Sequence, residues 1–323
     1  MVRKSNLDIN VSLALMTVAP KAMKHYERYR DIVDDFDAFM NTLITFPPIY
    51  IRVNTLKVDM DSLIRKLEAR WIDVFDTPLD VGLKVDDKEV AKTLEYALGY
   101  YYIQDLASMA VAYVLDPRCE HTVLDLCAAP GGKTTHMAQL MDNRGLIIAN
   151  DVVLDRLYIL IGHLNRLGIA NTVVTRMNGA SHKYIGRADR ILVDAPCSSE
   201  GTIRKNWSVL NRINLGLIRK MAGIQRHMLI SVIQKAKKDT VIVYATCTFA
   251  PEENEWVVNE ALKTGLVEIE KVNTPLKHSK GITKWIDEKG YEYRFDKALE
   301  RAVRIYPHYN DSGGMFIAKL RRI

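Results

Sequence analysis

Cysteine is scarce in this chain of 323 residues, which contains only four, at positions 119, 127, 197 and 247. No two of them form a CxxC pair, so neither a disulfide framework nor a zinc site is expected, and a reducing cytoplasm is the predicted setting. The N-terminus lacks the apolar core and the small-residue cleavage site of a signal peptide. No apolar run approaches the roughly 18 residues that a membrane helix needs, so no membrane partner is expected.

Acidic residues are missing between Glu200 and Asp239, although the net charge of the whole chain is only +6. A basic run of this length indicates a polyanionic partner, most simply nucleic acid, because phosphate contacts dominate such binding. The alternative is a solvated helix face, which is the usual role of a charge run. Its position directly after a candidate active-site loop favours nucleic acid. The run contains nine basic residues: Arg204, Lys205, Arg212, Arg219, Lys220, Arg226, Lys235, Lys237 and Lys238.

The chain divides into three stretches with different hydrophobic patterns. Residues 1–46 have a helical pattern, and residues 47–118 mix short β-like runs (IYIRVN, WIDVFD) with one helical run (DSLIRKLEAR), as in a small α+β domain. From residue 119 strands and helices alternate, which predicts an α/β domain with a parallel sheet covered on both faces. The run MFIAKL (315–320) predicts a further strand, as a hairpin partner at the sheet edge. The other predicted strands are 123–126, 145–151, 172–177, 190–195 and 240–246, with helices beginning near residues 133, 154, 210 and 252.

The segment VLDLCAAPGGKTTHMAQL (123–140) predicts a strand, a tight turn and a helix start that together form a ligand loop. Gly131 and Gly132 allow the backbone to approach a ligand, and the helix start offers free amides. A phosphate-binding P-loop would need glycine at Cys127, and a GxGxxG dinucleotide motif is absent. The remaining interpretation is an S-adenosylmethionine loop after the first strand of a methyltransferase sheet.

Two residues at strand ends are candidates for the rest of that site. Asp151 follows the second predicted strand, where a carboxylate accepts hydrogen bonds from ribose hydroxyls, although it could simply cap the next helix. Asn178 ends the third strand and could face the adenine ring, or it could be an ordinary turn asparagine.

Cys197 and Cys247 follow two predicted strands at their carboxyl ends, the edge where ligands of open α/β sheets bind. Cys119 and Cys127, by contrast, are interpreted as small buried hydrophobic residues. Carbon 5 of cytosine or uracil is too weak a nucleophile to take a methyl group until a thiolate has added to carbon 6. An acid near ring nitrogen 3, such as Asp194, would offset the charge that develops there. A second cysteine would help to break the enzyme–base bond afterwards.

Several motifs resemble those of the Nop/Sun family of RNA cytosine-5 methyltransferases. IRVNTLK (51–57) and YIQDLASM (102–109) are similar to its N-terminal motifs, so the resemblance extends from about residue 47 to the end. The paired DAPC and TC motifs are highly specific. The other motifs that carry the resemblance are LDLCAAPGGKT, DAPCSSEGTIRKN, YATCTFAPEENE and RIYPHYNDSGGMFIAKL.

The resemblance implies a seven-stranded Rossmann-like methyltransferase domain at 119–323, preceded by an RRM-like α+β RNA-binding module at 47–118. It implies S-adenosylmethionine as the methyl donor and a cytidine of structured RNA as the substrate, with no DNA and a monomeric enzyme expected. GTIRKN is similar to the tRNA-modifying branch and favours tRNA over rRNA. The rival of another class is a non-catalytic RNA assembly factor, which the presence of both cysteines and Asp194 disfavours.

The family's pattern also implies residue roles. Cys247 is expected to be the nucleophile, Cys197 to assist product release and Asp194 to contact the target base. The family often has an acidic residue at Asn178, and it commonly reads SGEG where this chain has SSEG, so Ser199 is expected to narrow that loop. The cofactor is expected to contact Asp151, Arg156, Asn178, Asp194 and the loop of Cys127, Ala128, Ala129, Pro130, Gly131, Gly132 and Lys133. Lys133 is expected near both cofactor and base, and RNA is expected to contact Arg52, Arg204, Lys205 and Asn206.

Overall fold

The structure is a computed structural model that describes residues 20, 22 and 24–323, so part of the predicted helical segment 1–46 lies outside it. The described strands form sheets of four, nine and two strands. The helices are α1 (Phe36–Leu43), α2 (Met60–Glu68), α3 (Leu94–Ala97), α4 (Leu106–Leu115), α5 (Gly132–Leu140), α6 (Leu154–Leu167), α7 (Leu215–Lys235), α8 (Glu255–Leu262) and α9 (Pro307–Asn310). The strands are β1 (Ile49–Val53), β2 (Val74–Asp76), β3 (Gly82–Val85), β4 (Tyr101–Ile103), β5 (Thr122–Asp125), β6 (Leu146–Asn150), β7 (Thr172–Thr175), β8 (Arg190–Asp194), β9 (Val241–Thr246), β10 (Val267–Glu270), β11 (Ser279–Lys280), β12 (Lys284–Ile286), β13 (Glu292–Arg294), β14 (Val303–Ile305) and β15 (Met315–Arg322).

The described part of the N-terminal segment belongs to the core of the larger domain. Tyr29 and Phe39 are fully buried, and the Phe39 ring centroid lies 5.2 Å from that of Phe249 and 5.8 Å from that of Tyr306. The Asp35 side chain caps α1. Because aromatic rings supply a large apolar area to a core, residues 24–46 pack onto the larger domain and do not form a separate helical unit.

The small sheet, in the order β2-β3-β1-β4, is antiparallel throughout. Helix α2 buries Leu63 and Leu67 against Ile51 and Val53 of β1. The sequence pattern predicts this helix correctly because apolar side chains recur every three to four residues along one face. These elements form the α+β module that the mixed pattern predicts.

Five parallel strands in the order β7-β6-β5-β8-β9 form the centre of the large sheet, which confirms the α/β fold class. Each of the five predicted strands in this region matches one of them. The sheet has nine strands in all, two more than expected. Helix α7 begins at Leu215 rather than near residue 210, because a 3-10 helix (Trp207–Asn211) comes first and Asn214 caps α7.

Strand β15 was expected at the sheet edge, and that prediction is wrong. It pairs antiparallel with β9 on one side, while β14 and β10 pair with successive halves of its other side. Residues 315–318 and 320 are buried accordingly. An apolar run in the sequence shows that both faces of a strand are buried. It does not show which distant segments pair with that strand.

Helix α4 corrects the predicted domain boundary at residue 118. The helix packs against α5 and against strands β9 and β15 of the large sheet. It is buried almost all round, as a mostly apolar helix must be. The small module therefore ends near residue 105, before this helix, and the larger domain begins with α4.

Candidate active site

The segment after β5 turns sharply into α5 and forms the loop predicted to bind a cofactor. Gly131 has a left-handed φ of 109°, and a Cβ there would lie 2.8 Å from Leu160 Cδ1, so glycine is required. Asp125, which ends β5, accepts a hydrogen bond from the Thr134 hydroxyl at 2.7 Å. Burial raises the pKa of Asp125 to about 7. These contacts hold the loop between its strand and its helix.

Arg52 supports this loop from the small module and does not face solvent. Its guanidinium donates hydrogen bonds to the Gly132 carbonyl at 2.6 Å, the Gln104 side chain at 2.8 Å and the Thr135 hydroxyl at 2.8 Å. The residue is 1% exposed. The expectation that Arg52 contacts RNA is therefore corrected, because the residue is buried and both terminal nitrogens of its guanidinium donate inside the protein.

Asp151 and Asn178 lie where the strand-end argument expects them. Asp151 is buried after β6, its Oδ1 accepts a hydrogen bond from the Val153 amide at 3.0 Å, and its Oδ2 lies 3.1 Å from Arg156 Nη1. Asn178 accepts a hydrogen bond from the Ala180 amide and so caps a short 3-10 helix. The Asp151 contact is a local turn before α6, whose N-cap Val153 has no side-chain cap, and Asn178 shows the turn contact that was its alternative role. Both residues also line one cavity.

Two cavities meet at the carboxyl edge of the large sheet. The Asp151 cavity, about 580 Å³, is lined by Asp151, Asn178, Arg156, Cys127 and Cys197 among others. The Asp105 cavity, about 290 Å³, is lined by Asp105, Tyr102, Gln104, Lys205 and Gly313 among others. Both cavities are bordered by the same five residues, which we call the shared wall: Ala129, Pro130, Lys133, Asp194 and Cys247.

Lys133 and Asp194 form an ion pair within the shared wall. Lys133 Nζ lies 2.7 Å from Asp194 Oδ2. Burial alone would lower the pKa of the Lys133 ammonium, but the Asp194 carboxylate outweighs it and raises that pKa. The pair therefore keeps a carboxylate and a cation at one fixed place between the cavities.

The two cysteine sulfurs, predicted to meet at adjacent strand ends, lie 3.1 Å apart as free thiols. The hydrogen bond from Cys197 lowers the pKa of the Cys247 thiol, against the opposing effect of burial, and Lys133 lowers it further. The same contact raises the pKa of Cys197, and burial adds to that rise. Of the two sulfurs, Cys247 is therefore the one on which negative charge is favoured, with Cys197 as its hydrogen-bond donor.

Alkylation of Cys247 by iodoacetamide should shift to higher pH when Cys197 is replaced by alanine. The reagent attacks the thiolate, whose fraction rises as the pH passes the thiol pKa, and loss of the Cys197 donor raises that pKa. Mass spectrometry of the Cys247 peptide across a pH series measures the rate. Cys119→Ala, which lies at the amino end of β5, should leave the profile unchanged. An unaltered profile in Cys197→Ala would contradict the assigned donor.

Ser199 occupies a position that favours glycine. Its φ is 64°, in the left-handed region, where a side chain costs energy. Its hydroxyl donates a hydrogen bond to the Cys197 carbonyl at 3.3 Å. The departure from SGEG is thus accommodated by a strained serine that holds the cysteine loop.

Two buried glutamates fasten the cysteine loops together, and sequence reasoning missed both. Glu200 accepts hydrogen bonds from the Thr248 hydroxyl at 2.8 Å, the Phe249 amide at 3.1 Å and the Tyr29 hydroxyl at 2.8 Å. Glu253 accepts one from the Ser198 amide at 3.0 Å. Their only signal in the sequence was a glutamate within each cysteine motif, and that signal did not reveal burial.

Comparison with known proteins identifies the family of this chain. Residues 112–321 match the family described as 16S rRNA methyltransferase RsmB/F. The tRNA (cytosine(49)-C(5))-methyltransferase of Pyrococcus abyssi is 37% identical over 93% of this chain and 96% of its own length. The chain belongs to the RsmB/F methyltransferase family. The human 28S rRNA (cytosine(4447)-C(5))-methyltransferase is 38% identical over 85% of this chain, which spans 34% of that longer protein.

This RsmB/F-family chain also shares its fold with a solved relative. NSun6 from Pyrococcus horikoshii, solved with the S-adenosylmethionine analogue SFG, is 25% identical with a TM-score of 0.79. The match covers 93% of this chain and 97% of that one. The resemblance to the Nop/Sun family, the RNA cytosine-5 methyltransferase class and the cofactor S-adenosylmethionine are thereby confirmed.

Arg204 of the RsmB/F-family chain is buried, which corrects its expected RNA contact. It is 2% exposed, and its guanidinium donates to the Ser312 carbonyl at 3.0 Å, to the Phe46 carbonyl at 3.1 Å and to Asp311 at 2.7 Å. Lys205 is half-exposed beside the Asp105 cavity and lies 3.0 Å from Asp105. The exposed Asn206 caps a 3-10 helix.

The basic run does not form one cationic face in the RsmB/F-family structure. Several residues of the run form ion pairs with carboxylates from other segments. Acidic residues are missing from this stretch of the sequence, but the fold brings acidic side chains next to it. Besides the pairs of Arg204 and Lys205, the ion pairs are Arg219 with Asp287, Arg226 with Glu260 and Lys237 with Asp189. Much of the positive charge that suggested nucleic acid is thus neutralised within the fold.

Replacing Arg204 and Lys205 separately with alanine should give different defects. Arg204→Ala leaves buried carbonyls without a donor and should lower the free energy of unfolding by about 1–3 kcal/mol. Lys205→Ala should leave stability nearly unchanged but reduce the salt slope of RNA binding by about 1, as loss of one phosphate contact does. Denaturant unfolding and binding titrations at several salt concentrations measure these effects. An unchanged slope in Lys205→Ala would remove that residue from the RNA interface.

Among residues 20, 22 and 24–323, no group of three His, Cys, Asp or Glu side chains is arranged to hold a metal ion. No helix in those residues is both long enough and apolar enough to cross a membrane.

Proposed function

We propose that this protein methylates carbon 5 of a cytidine in tRNA, with Cys247 as the nucleophile and Cys197 as the thiol that assists release. The observation that carries the proposal is the shared wall, where Lys133, Asp194 and Cys247 border both cavities. A methyl donor in the Asp151 cavity and a base in the Asp105 cavity would meet at these side chains. Catalysis depends on holding reacting groups in such an arrangement.

The Asp151 cavity suits S-adenosylmethionine, which supplies an electrophilic methyl group when bound. Asp151 Oδ2 is buried and lies 3.1 Å from Arg156 Nη1, in an ion pair that lacks hydrogen-bond geometry. The ribose hydroxyls would donate hydrogen bonds to this strand-end carboxylate. Ala129, Pro130 and Lys133 of the loop before α5 line the same cavity and would contact the rest of the ligand.

Each reacting step has a side chain placed for it. The Cys247 thiolate is favoured by the Cys197 donor and by Lys133, and it would add to carbon 6 of the cytosine ring. Asp194 would donate a hydrogen bond to ring nitrogen 3, where charge develops, with a proton that the Lys133 ammonium bonded to it can supply. Once the methyl group is transferred, a water molecule would take the proton from carbon 5, the double bond between carbons 5 and 6 would re-form, and the bond to Cys247 would break. Cys197 would stabilise the departing thiolate by donating a hydrogen bond to it.

Transfer RNA is proposed as the substrate because a relative that matches 93% of this chain over 96% of its own length is a tRNA enzyme. The human rRNA enzyme extends far beyond the matched region, so its substrate choice could depend on segments that this chain does not match. The GTIRKN segment also favours tRNA.

Nucleoside analysis of RNA treated with the purified protein tests this proposal. The protein is incubated with S-adenosylmethionine and either unmodified tRNA or ribosomal RNA, and the digests are analysed for 5-methylcytidine by mass spectrometry. We expect 5-methylcytidine in tRNA only. Methylation of ribosomal RNA alone would show that rRNA and not tRNA is the substrate. Methylation of neither RNA would favour a non-catalytic assembly factor.

Asp151→Ala should weaken S-adenosylmethionine binding roughly tenfold or more, since a hydrogen bond to a charged group contributes about 1.5–3 kcal/mol. Calorimetry without RNA measures the change. Asp155→Ala, which removes an exposed acid from the first turn of α6, is the matched control and should bind normally. Equal affinities for all three proteins would remove Asp151 from the ribose site.

The remaining expectations are part of the same proposal. We propose that the protein acts as a monomer, in the cytoplasm, on RNA rather than DNA. We also propose that the small module holds part of the RNA, through residues other than Arg52. Lys205, which lines the Asp105 cavity, is the candidate RNA contact on the catalytic domain.

A further inference from the structure

The two cysteines of the site are closer than their roles in methyl transfer require. Their sulfurs lie 3.1 Å apart, and a disulfide needs about 2.0 Å, so a small side-chain movement would bond them. Strands β8 and β9 are paired neighbours, with Asp194 opposite Ala245. The Gly201 amide donates to the Cys247 carbonyl at 2.9 Å, which ties the two loops together beyond the strands.

The two thiols also differ in the way that an oxidation relay needs. Cys247 is the sulfur on which negative charge is favoured, and a thiolate attacks peroxide far faster than a thiol does. Cys197 keeps its proton and lies in contact with Cys247, in the place of a resolving cysteine. Both sulfurs line the Asp151 cavity, so a small oxidant can reach them from solvent.

We propose that Cys197 and Cys247 are an oxidation site that forms a reversible disulfide when the protein meets a hydroperoxide. The Cys247 thiolate attacks one peroxide oxygen, the oxygen–oxygen bond breaks, and Cys247 becomes a sulfenic acid as hydroxide leaves. The Cys197 sulfur then attacks the Cys247 sulfur, and the sulfenic oxygen leaves as water with the Cys197 proton. The peroxide is reduced, and the two thiols are oxidised to one disulfide.

This site would couple the activity of the enzyme to its oxidative environment. The disulfide removes both thiols that the proposed function needs, and it protects Cys247 from further oxidation to sulfinic acid, which thiols do not reverse. A dithiol reductant restores the pair by exchange. The chemistry does not depend on which RNA is methylated.

The other two cysteines supply the comparison that the test needs. Cys119 is exposed at the amino end of β5. Cys127 lines the Asp151 cavity, but burial raises the pKa of its thiol, so it should react slowly. Only peptide mapping distinguishes a Cys197–Cys247 bond from one that involves Cys127.

Mass spectrometry of the full-length protein after brief peroxide treatment tests the proposal without RNA or methyl donor. We expect two hydrogens to be lost, a Cys197–Cys247 cross-linked peptide, and full reversal by dithiothreitol. Cys119→Ser should behave in the same way. Cys197→Ser should instead collect sulfenic and sulfinic acid on Cys247, and that oxidation should not be fully reversed.

Three outcomes would overturn the proposal. They are sulfinic acid on Cys247 of the unaltered protein, a disulfide that involves Cys127, and an intact Cys197–Cys247 pair after Cys119 has been oxidised. Because these readouts are chemical, they stand even if the methylation assay fails. Loss of methylation that follows disulfide formation, and its return with dithiothreitol, would then link the site to activity.

Discussion

Cys247→Ala should abolish methyl transfer and every covalent RNA adduct, whereas Cys197→Ala should accumulate an adduct that survives denaturing electrophoresis. Without Cys247 nothing adds to carbon 6, so the ring is never activated. The rate should fall on the order of 10⁶-fold, the loss seen when a covalent nucleophile is removed elsewhere. Without Cys197 the attack and the methyl transfer still occur, but the departing sulfur loses its hydrogen-bond donor and the intermediate persists.

The adduct assay uses labelled RNA with S-adenosylmethionine, and it includes two controls. Cys119→Ala removes an exposed thiol outside the site and should methylate normally. The double variant of Cys197 and Cys247 should form no adduct, because the nucleophile is missing. An adduct that accumulates in Cys247→Ala would reverse the two roles. Normal methylation by both single variants would exclude a covalent mechanism.

Asp194→Asn should lower the methyl-transfer rate roughly 10²–10⁴-fold, the range for loss of an acid–base group. The amide has the same shape and can donate a hydrogen bond, but it cannot transfer a proton to ring nitrogen 3. It also removes the carboxylate that raises the pKa of Lys133, so both charges of the shared wall change together. Single-turnover assays at saturating S-adenosylmethionine measure the transfer step, and binding titrations should show RNA affinity nearly unchanged.

Asp189→Asn is the matched control for that variant. It breaks another lysine–aspartate pair, in which Lys237 Nζ lies 2.6 Å from Asp189 Oδ1 at the amino end of β8. Its transfer rate should equal that of the unaltered protein. If Asp194→Asn also transfers methyl groups normally, then Asp194 acts only as a structural partner of Lys133.

Local patterns were sufficient for the parts of this protein that depend on neighbouring residues. The parallel strands, the glycine turn at Gly131 and the strand-end position of Asp151 all followed from short stretches of sequence. These features succeed because backbone conformation and the period of apolar residues are set within a few residues. The motifs carried the family and its chemistry for the same reason, since each motif is one continuous loop.

Predictions that treated a residue by its type alone failed where distant segments supplied its partners. Arg52 and Arg204 looked like RNA contacts, yet their donors are used by carbonyls and side chains far away in the chain. Strand β15 was expected at the sheet edge, but β14 and β10 pair with the side that would have been exposed. A buried cation must be paired, but a sequence does not show which cations are buried.

The sequence by itself determined which chemical groups the active site contains, because its cysteine, aspartate and glycine motifs are local. Only the tertiary structure decided how those groups act on one another. The 3.1 Å contact that lowers the pKa of the Cys247 thiol joins residues 50 positions apart, and Glu200 holds their loops together through Thr248 and Phe249. Electrostatic and hydrogen-bond effects fall steeply with distance, so they depend on a packing that no short stretch of sequence contains.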